Sequence, residues 1–452
     1  MQFAVQFVLY LVLPLLASSH QMANLQDDFI MVDLDGSSHN LSSSHQSRDD
    51  YLSAISHHVA ELSGALRDIS LDIHDHPELR FHETHAHDVL TQYMESAGGW
   101  KVTRSAYGIN TAFVAVFDSG NKGPTVSFNA EYDALEGIGH ACGHNLIAIA
   151  SVAGALATSK VMEDEKLGGK VVLFGTPAEE GGGGKIKLLN AGAYKDVDVS
   201  LMSHPGISPD AALVRTAAYA AMKVEYFGRE AHAAARPWDG INALDALITA
   251  YNGLSVLRQQ TEPGDIIQMQ ITNGGLRPNI IHAYSSGQFV IRSASHARLE
   301  ALIKRVEACF EAGALATGAE LKLTHGGAYK DHVPNRALGY AYKSFFNRLG
   351  GDIPEADIDE LKGVTQASTD QGDISHALPS LHSGFWIRSE DREGKQLGGP
   401  HTPDFEKAAR TEESHEIAMT VGKALAATAV EVLTDPKLLE EVKREFARSS
   451  LV

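Results

Sequence analysis

The pattern of apolar and polar positions predicts helices near both ends of the chain and alternating elements between them. Apolar residues recur every three or four positions from Leu52 to Ile73, as on one face of an amphipathic helix. Pro77 ends that pattern. Further on, short apolar runs between glycine-rich loops predict strands at Thr111–Phe117, Thr125–Asn129, Lys170–Phe174 and Val197–Met202. Because helical segments lie between some of these strands, the pattern predicts an α/β layer with a mixed, partly parallel sheet.

The middle of the chain has a different order of elements. A strand-like alternation at Tyr219–Phe227 precedes a helical stripe, two more strands, another helical face and a strand at Glu320–Thr324. The order β-α-β-β-α-β is typical of a ferredoxin-like domain. We therefore predict a catalytic domain in two parts, 50–214 and 331–452, interrupted by an inserted domain at 215–330.

The amino terminus has the pattern of a secretory signal. An apolar run from Phe3 to Leu16 precedes the small residues Ala17-Ser18-Ser19, which suit cleavage, although no Lys or Arg precedes the run. The run is too short to span a bilayer comfortably, since a spanning helix needs about 20 apolar residues. We predict a signal peptide at 1–19, a flexible leader at 20–49 and a place in the secretory pathway, with a cytoplasmic location as the alternative.

Composition narrows the possible functions. The 452 residues include 38 Lys and Arg against 57 Asp and Glu, a formal net charge of −19. Such an acidic chain is poorly suited to bind nucleic acid or an anionic membrane through its general field. No stretch after the leader has the pattern of a membrane span, so stable membrane insertion is not expected. With two cysteines in all, a disulfide framework is excluded, and Cys309 falls on the apolar face of a helix.

The first candidate catalytic or metal-binding residues lie between the strand that ends near Asn129 and the buried helix that follows it. Cys142 and His144 lie two positions apart, so in an extended stretch their side chains point the same way. A thiolate and an imidazole are ligands for a borderline-soft metal ion. Taken alone, the pair could equally be a buried cysteine beside a histidine in a turn.

Two other strand ends carry similar residues. Glu179 and Glu180 follow the strand that ends near Phe174 and precede four glycines, and His204 closes a third strand. One carboxylate of such a pair can bind a metal ion while its neighbour transfers a proton. Three strand ends that deliver nitrogen, oxygen or sulfur ligands favour a metal site, with enough ligands for two ions.

These segments resemble the motifs of a known family. His140-Ala-Cys-Gly-His144, Pro177-Ala-Glu-Glu180 and Ser203-His-Pro-Gly206 resemble the amidohydrolase branch of peptidase family M20. Further motifs of that kind stand at His74–Leu79, Gly228–Ala234, Pro278–Ile281, Phe289–Arg292, Ser368–Ser375 and Pro400–Phe405. The resemblance covers residues 50 to 435. Within the family, Tyr132-Asp133-Ala134-Leu135 and Asn145 are most similar to Xaa-Arg dipeptidase-like members.

The resemblance implies a two-metal exopeptidase-type fold and a role for each matched residue. It gives Glu179 as the general base and Asp133 as a carboxylate that orients a metal-binding side chain. The implied cofactors are two divalent ions, zinc or manganese, with cobalt also compatible. The implied ligands are Cys142, His144, Glu180, His204 and His401.

The resemblance also implies a homodimer formed through the insert. In the family, a histidine of the partner's insert donates a hydrogen bond to the reacting oxygen, and His232 matches it here. Asn279 and Arg292 match positions that hold the substrate's free carboxylate, for which arginine is well suited. Read without the resemblance, His232 is a surface histidine and Arg292 a charge at a strand end.

The resulting hypothesis is a metal-dependent hydrolase that cleaves the amide bond of dipeptides or related N-acyl amino acids, with a basic carboxyl-terminal residue as one option. One alternative is an aminoacylase- or carboxypeptidase-type N-acyl-amino-acid hydrolase. Another is a secreted metal-binding protein without catalysis. The histidines at 82, 85 and 87 lie outside the family motifs, and we interpret them as solvated.

Overall fold

The computed structural model describes residues 42–449 of the chain. The predicted signal peptide, 1–19, lies outside the described residues. The first helix, α1 (Ser42–Asp75), begins inside the segment predicted as a leader, 20–49. Between Ser42 and Arg48 this segment has no proline or glycine, so nothing in its sequence prevents the helix from including these residues.

The remaining helices of the described chain follow in order, with 3-10 turns at Ala106–Gly108, Pro237–Asp239 and Arg258–Gln260. They are α2 (Thr84–Ser96), α3 (His144–Glu165), α4 (Glu179–Gly182), α5 (Gly184–Asn190), α6 (Ala243–Leu257), α7 (His296–Thr317), α8 (Arg336–Arg348), α9 (Ala356–Lys362), α10 (Gln371–Ser375), α11 (Pro403–Ala409), α12 (Glu412–Thr434) and α13 (Pro436–Ser449).

A six-stranded mixed sheet forms the catalytic part of the fold. Its strand order is β1-β2-β4-β3-β5-β10, and its last four strands run parallel to one another. Because parallel strands end at the same edge, the loops after β3, β4, β5 and β10 share one side of the sheet. The strands are β1 (Trp100–Arg104), β2 (Phe113–Asp118), β3 (Thr125–Glu131), β4 (Lys170–Thr176), β5 (Val199–Gly206) and β10 (Ser380–Trp386).

Two long apolar helices, α3 and α12, pack against each other in the core of this part. By length and composition either could cross a membrane, but 94% and 67% of their most apolar windows are buried inside the fold. Burial on several sides explains why α3 is apolar almost all round instead of along one stripe. Helix α12 begins at Glu412, where the Thr411 side chain accepts a hydrogen bond from the Ser414 amide.

The insert is a separate four-stranded antiparallel sheet with the order β7-β8-β6-β9. Helices α6 and α7 pack on it and bury a core of their own, with which the half-buried Cys309 is in contact. The order of elements along the chain, β6-α6-β7-β8-α7-β9, is the ferredoxin-like pattern. Its strands are β6 (Ala218–Phe227), β7 (Ile266–Asn273), β8 (Tyr284–Ser293) and β9 (Glu320–Tyr329).

Candidate metal centre and cleft

The candidate ligands lie at the edge of the sheet where its parallel strands end. Strand β3 ends at Glu131, two residues before Asp133, and β5 carries His204 close to its own end. Glu179 and Glu180 follow β4 after a short turn. The topology thus brings residues from three strand ends together, as expected for open α/β sheets.

The predicted ligands form three overlapping groups. Within each group, one ligand atom per residue lies within 4.8 Å of the others. Because the groups share members, the five predicted ligands and Glu179 form one continuous cluster. The groups are Cys142 with His144 and His204, Cys142 with Glu180 and His401, and His144 with Glu179 and Glu180. Thiol, imidazole and carboxylate donors in this number fit two divalent ions.

Asp133 aligns two members of the cluster. The His144 Nδ1 atom lies 2.8 Å from the Asp133 carbonyl oxygen and 3.1 Å from its carboxylate Oδ1. The other carboxylate oxygen accepts a hydrogen bond of 2.9 Å from the Glu180 amide. Since Nδ1 is engaged as a donor, His144 presents its Nε2 atom, which makes no hydrogen bond among the described residues, to the cluster.

The other two imidazoles of the cluster are positioned by different contacts. The His204 Nδ1 atom donates to the Pro205 carbonyl at 2.7 Å, so its Nε2 faces the cluster 3.4 Å from Cys142 Sγ. The His401 Nε2 atom lies 3.1 Å from Glu180 Oε1. The His401 backbone is left-handed, with φ of 68°, a conformation that costs a non-glycine residue about 1–3 kcal/mol. Local strain of this kind is typical of functional sites.

Two glycines make the close approach of these loops possible. A side chain at Gly143, where φ is 79°, would place its Cβ 2.7 Å from Pro205. At Gly184 a Cβ would lie 1.7 Å from the Pro177 carbonyl oxygen. At Gly184 the neighbouring backbone leaves no room for a side chain, and at Gly143 the positive φ together with the Pro205 side chain strongly disfavours one.

The charges of the cluster favour a bound cation. Burial, together with the nearby carboxylates of Glu131 and Glu180, raises the pKa of Glu179 well above its usual range. Burial also raises the pKa of the Cys142 thiol. Buried acids that resist ionisation are stabilised as anions when a divalent ion supplies compensating charge. The donor set and its electrostatics therefore both fit a metal centre.

A buried ion network beneath the cluster was not predicted from the sequence. Lys185 is fully buried, and its Nζ atom lies 2.5 Å from Glu131 Oε1 and 2.6 Å from Asp370 Oδ1. The second oxygen of Glu131 lies 3.4 Å from His144 Nε2. Lys185 thus links the Glu131 carboxylate, beside His144 Nε2, to the residue that precedes α10 in the other half of the catalytic domain. The motif at Ser368–Ser375 contains Asp370, but nothing in the sequence pairs it with Lys185.

The cluster opens into a cleft of about 690 Å³ that the insert helps to line. Arg292, on β8, reaches the cleft, where its guanidinium donates hydrogen bonds to Ser368 Oγ at 2.8 Å and the Gln366 carbonyl at 3.1 Å. The guanidinium also lies over the Tyr219 ring, 5.0 Å from its centroid. Held in this way, Arg292 presents a fixed positive charge in the same cleft as the candidate ligands.

His382 was also not predicted as a cleft residue. It lies on β10, lines the cleft and is only 5% exposed, yet neither of its ring nitrogens has a hydrogen-bond partner among the described residues. Its ring centroid is 6.0 Å from that of His204. A buried nitrogen without a partner costs about 1–3 kcal/mol, so this imidazole is suited to contact a bound molecule.

His232 and Asn279 do not line this cleft in the single chain. Both are exposed, and they are neighbours on the insert, where the Ala233 amide donates to the Asn279 carbonyl at 3.1 Å. The structure therefore separates Asn279 from Arg292, although both were predicted to hold the same carboxylate. The Nδ1 atom of His232 accepts hydrogen bonds from the amides of Ala234 and Ala235, which leaves the ring proton on Nε2.

The site combines thiol, imidazole and carboxylate ligands around a buried glutamate with a fixed guanidinium nearby, all at the edge of a mixed sheet. This combination defines a metal-dependent hydrolase. Residues 216–317 match the peptidase dimerisation domain of the M20 peptidases. Xaa-Arg dipeptidases of Mus musculus and Homo sapiens are 40% identical to the chain over 399 and 404 residues, which is 86% of this chain and 89% of each relative. The chain belongs to the M20 family, and it is a hydrolase of amide bonds.

More distant relatives agree with the family assignment. One of the subunits of p-aminobenzoyl-glutamate hydrolase from Escherichia coli is 29% identical over 449 residues and covers 84% of this chain and 91% of that relative. A dinuclear metal-binding M20 peptidase of Bacillus subtilis has the same fold, with a TM-score of 0.61 at 17% identity, over 82% of this chain and 99% of that one. An aminobenzoyl-glutamate utilization protein of Klebsiella pneumoniae has a TM-score of 0.59 at 20% identity, over 84% and 97%.

Proposed function

We propose that the protein is a two-metal dipeptidase that cleaves the amide bond in front of an amino acid with a free carboxylate. The observation that carries the proposal is the cluster of five candidate ligands around Glu179, in the same cleft as Arg292. Two divalent ions held there would polarise the scissile carbonyl and acidify a water molecule. Zinc and manganese both suit the donor set.

Glu179 has the position of a general base. Its backbone carbonyl accepts a hydrogen bond of 2.6 Å from the Tyr329 hydroxyl, which in turn accepts one of 3.1 Å from the Gly183 amide. Tyr329 ends the last strand of the insert, so the insert itself holds the loop that carries the glutamate. Glu179 can take a proton from the attacking water and deliver it to the leaving amine.

His232 would complete the site from a second copy of the chain. Its Nε2–H is a donor, and a tetrahedral intermediate of amide hydrolysis needs a donor for its oxyanion. In a single chain His232 is exposed and does not line the cleft. We therefore propose a homodimer formed through the insert, in which His232 and the adjacent Asn279 face the partner's metal centre.

The two-copy arrangement has a direct test. Mixed dimers of Glu179→Gln and His232→Ala chains contain one site with neither change and should regain about half of the wild-type specific activity per hybrid dimer. Each variant alone should be nearly inactive, since single catalytic groups contribute about 10²–10⁴-fold. Mixtures that stay as inactive as their components, despite hybrid formation seen by mass spectrometry, would contradict the arrangement.

The preferred substrate would be a dipeptide, and the Xaa-Arg dipeptidase relatives support a basic residue at its carboxyl end. One observation favours a second candidate, the hydrolysis of N-acyl amino acids. Among the described residues that line the cleft, the carboxylates are those of Glu179 and Glu180, while Arg292 and Lys362 add positive charge. A basic substrate side chain would need an acidic partner from outside this cleft.

A substrate panel separates the two candidates. Metal-reconstituted protein should be assayed with Xaa-Arg and Xaa-Lys dipeptides, neutral dipeptides, and N-acetyl and long-chain N-acyl amino acids. A kcat/KM that is highest for basic dipeptides supports the dipeptidase, and a highest value for acyl amino acids supports the second candidate. Glu179→Gln should lower turnover at least about 10²-fold with unchanged metal content. Full activity in that variant would refute the mechanism.

A further inference from the structure

A second group of metal-binding side chains lies outside the catalytic cluster, where the first two helices meet. Asp72 stands in the last turn of α1, His76 follows that helix, and His85 lies in the first turn of α2. Asp72 Oδ1 is 3.0 Å from His76 Nδ1, and Asp72 Oδ2 is 3.1 Å from His85 Nε2. One ligand atom from each residue lies within 4.8 Å of the other two, and the group shares no residue with the catalytic cluster.

The spacing and chemistry of this group suit one small divalent ion. A tetrahedral zinc ion with ligands at about 2.0–2.1 Å holds the ligand atoms roughly 3.3 Å apart. The two measured separations, of 3.0 and 3.1 Å, end on different oxygens of Asp72 and are both close to that value. Two imidazoles with one carboxylate form a donor set that zinc accepts readily. The Asp72 and His76 side chains are 38% and 59% exposed, so an ion can enter from their side and water can complete its coordination. The His85 Nε2 atom itself is buried inside the group.

The three ligands are attached to well-anchored backbone. The His85 amide donates to both carboxylate oxygens of Glu78, at 2.9 and 2.8 Å, and the Ala86 amide donates to one of them at 3.0 Å. The His76 amide donates to the Asp72 carbonyl at 3.2 Å. His76 Nδ1 also lies 2.8 Å from that carbonyl. An arriving ion would replace this contact and the two contacts between Asp72 and the histidines, and it would leave the backbone hydrogen bonds in place.

The histidines that cluster in the sequence do not form this group. His82 is exposed and His87 is buried on another side, with its Nε2 3.4 Å from the Ser105 amide. His85 instead turns toward Asp72, in the last turn of α1, and His76, just after that helix. Its ring lies 4.6 Å from the His76 ring, centroid to centroid. The group therefore combines residues of α1, α2 and the turn that follows α1, and not the histidines that are neighbours in the sequence.

The segment between these ligands contacts the catalytic loops. The Glu78 carbonyl accepts a hydrogen bond of 2.8 Å from the Ala134 amide, which lies next to Asp133. The Arg80 guanidinium donates to the Glu180 carbonyl at 3.3 Å. An ion that ties the end of α1 to the start of α2 would therefore fix a segment that supports the metal centre.

We propose that Asp72, His76 and His85 form a peripheral zinc site, separate from the catalytic ions, that braces the segment between α1 and α2. The site belongs to a single chain and needs no partner subunit. Its occupancy is independent of the reaction that the catalytic cluster carries out, so it can be tested without any substrate.

The test measures zinc in the full-length protein. Wild type, His85→Gln, His76→Gln and the control His82→Gln are loaded with zinc, dialysed together and analysed by mass spectrometry of the metal. Wild type and the control should retain one zinc ion per chain more than either site variant. Excess zinc should also raise the Tm of wild type and of the control, but not that of the site variants.

Equal zinc content in wild type and His85→Gln would overturn the proposal, as would an equal loss in His82→Gln, which would indicate general binding by surface histidines. Circular dichroism and the content of catalytic ions show whether each variant is folded. If a histidine variant fails that check, Asp72→Asn takes its place. Retention of the extra ion by a folded Asp72→Asn would also refute the site.

Discussion

Lys185 offers the sharpest test of how the buried charges beneath the metal centre are balanced. Its Nζ atom contacts Glu131 and Asp370 at 2.5 and 2.6 Å, and all three side chains are fully buried. Lys185→Met keeps the length of the side chain but removes its charge. Removing one partner of a buried ion pair costs about 3–5 kcal/mol, because the remaining charge stays buried and uncompensated.

The loss should depend on pH. Burial raises the pKa of Asp370 to about 6, and Lys185 acts in the opposite direction, so its removal raises that pKa further. A carboxyl whose folded-state pKa exceeds its unfolded value adds stability below the unfolded pKa and loses it as pH rises through the folded one. The deficit of Lys185→Met should therefore be small near pH 5, where the Asp370 carboxyl can be protonated, and largest near pH 8.

Urea unfolding of chelator-treated protein at several pH values measures this deficit. Expressed as a change in thermal stability, a deficit of about 3–5 kcal/mol would lower the Tm by about 4–6 °C. This conversion uses an unfolding entropy of about 2.1 cal/mol/K per residue over roughly 400 residues. Lys187→Met is the matched control, since Lys187 is exposed on the same helix over the Phe81 ring and should cost about 0.5–1 kcal/mol. Adding Asp370→Asn to Lys185→Met should recover part of the loss. A deficit of Lys185→Met that is no larger than the control's, or that does not change with pH, would refute the reasoning.

Two further predictions concern buried groups near the cleft. Because both ring nitrogens of His382 lack partners among the described residues, His382→Leu should leave the free energy of unfolding unchanged or raise it by about 1 kcal/mol. It should at the same time lower kcat/KM, and parallel losses of stability and activity would instead indicate a structural role. Burial and the nearby Asp133 raise the pKa of Glu83 to about 7, so wild type should lose stability as pH rises through 7. In Glu83→Gln that part of the pH dependence should vanish in urea titrations, and an unchanged pH profile would show that Glu83 is not its source.

The parts of the fold that could be predicted from the sequence are those with strong local patterns. Strand β3 begins at the predicted Thr125 and runs two residues beyond the predicted end, and the insert has its predicted order of elements. Strand β1 (Trp100–Arg104) was missed, because an edge strand with mostly half-buried and exposed residues has little apolar alternation. Helix α8 (Arg336–Arg348) was missed as well, although its buried face carries aromatic residues at helical spacing.

The candidate ligands could be predicted because strand ends and short motifs fix their position. Other site features depend on long-range contacts that no local pattern encodes. Lys185 meets Glu131 and Asp370 only after three distant segments have folded together. His85 and His87 look like one cluster in the sequence, but residues two apart on a helix point about 200° away from each other. Their different surroundings follow from that geometry.

His232 shows a further limit, because its role depends on more than one chain. The single chain accounts for its tautomer, since two backbone amides occupy Nδ1 and leave the Nε2 proton available. The single chain does not show which group His232 would contact, because the exposed ring does not line the cleft of its own chain. If His232 serves a partner's metal centre, then the insert has two tasks, since Tyr329 holds the Glu179 loop in the same chain while His232 acts across the dimer. Changes in the insert could then alter catalysis in either copy, and mixed dimers of Glu179 and His232 variants would distinguish the two effects.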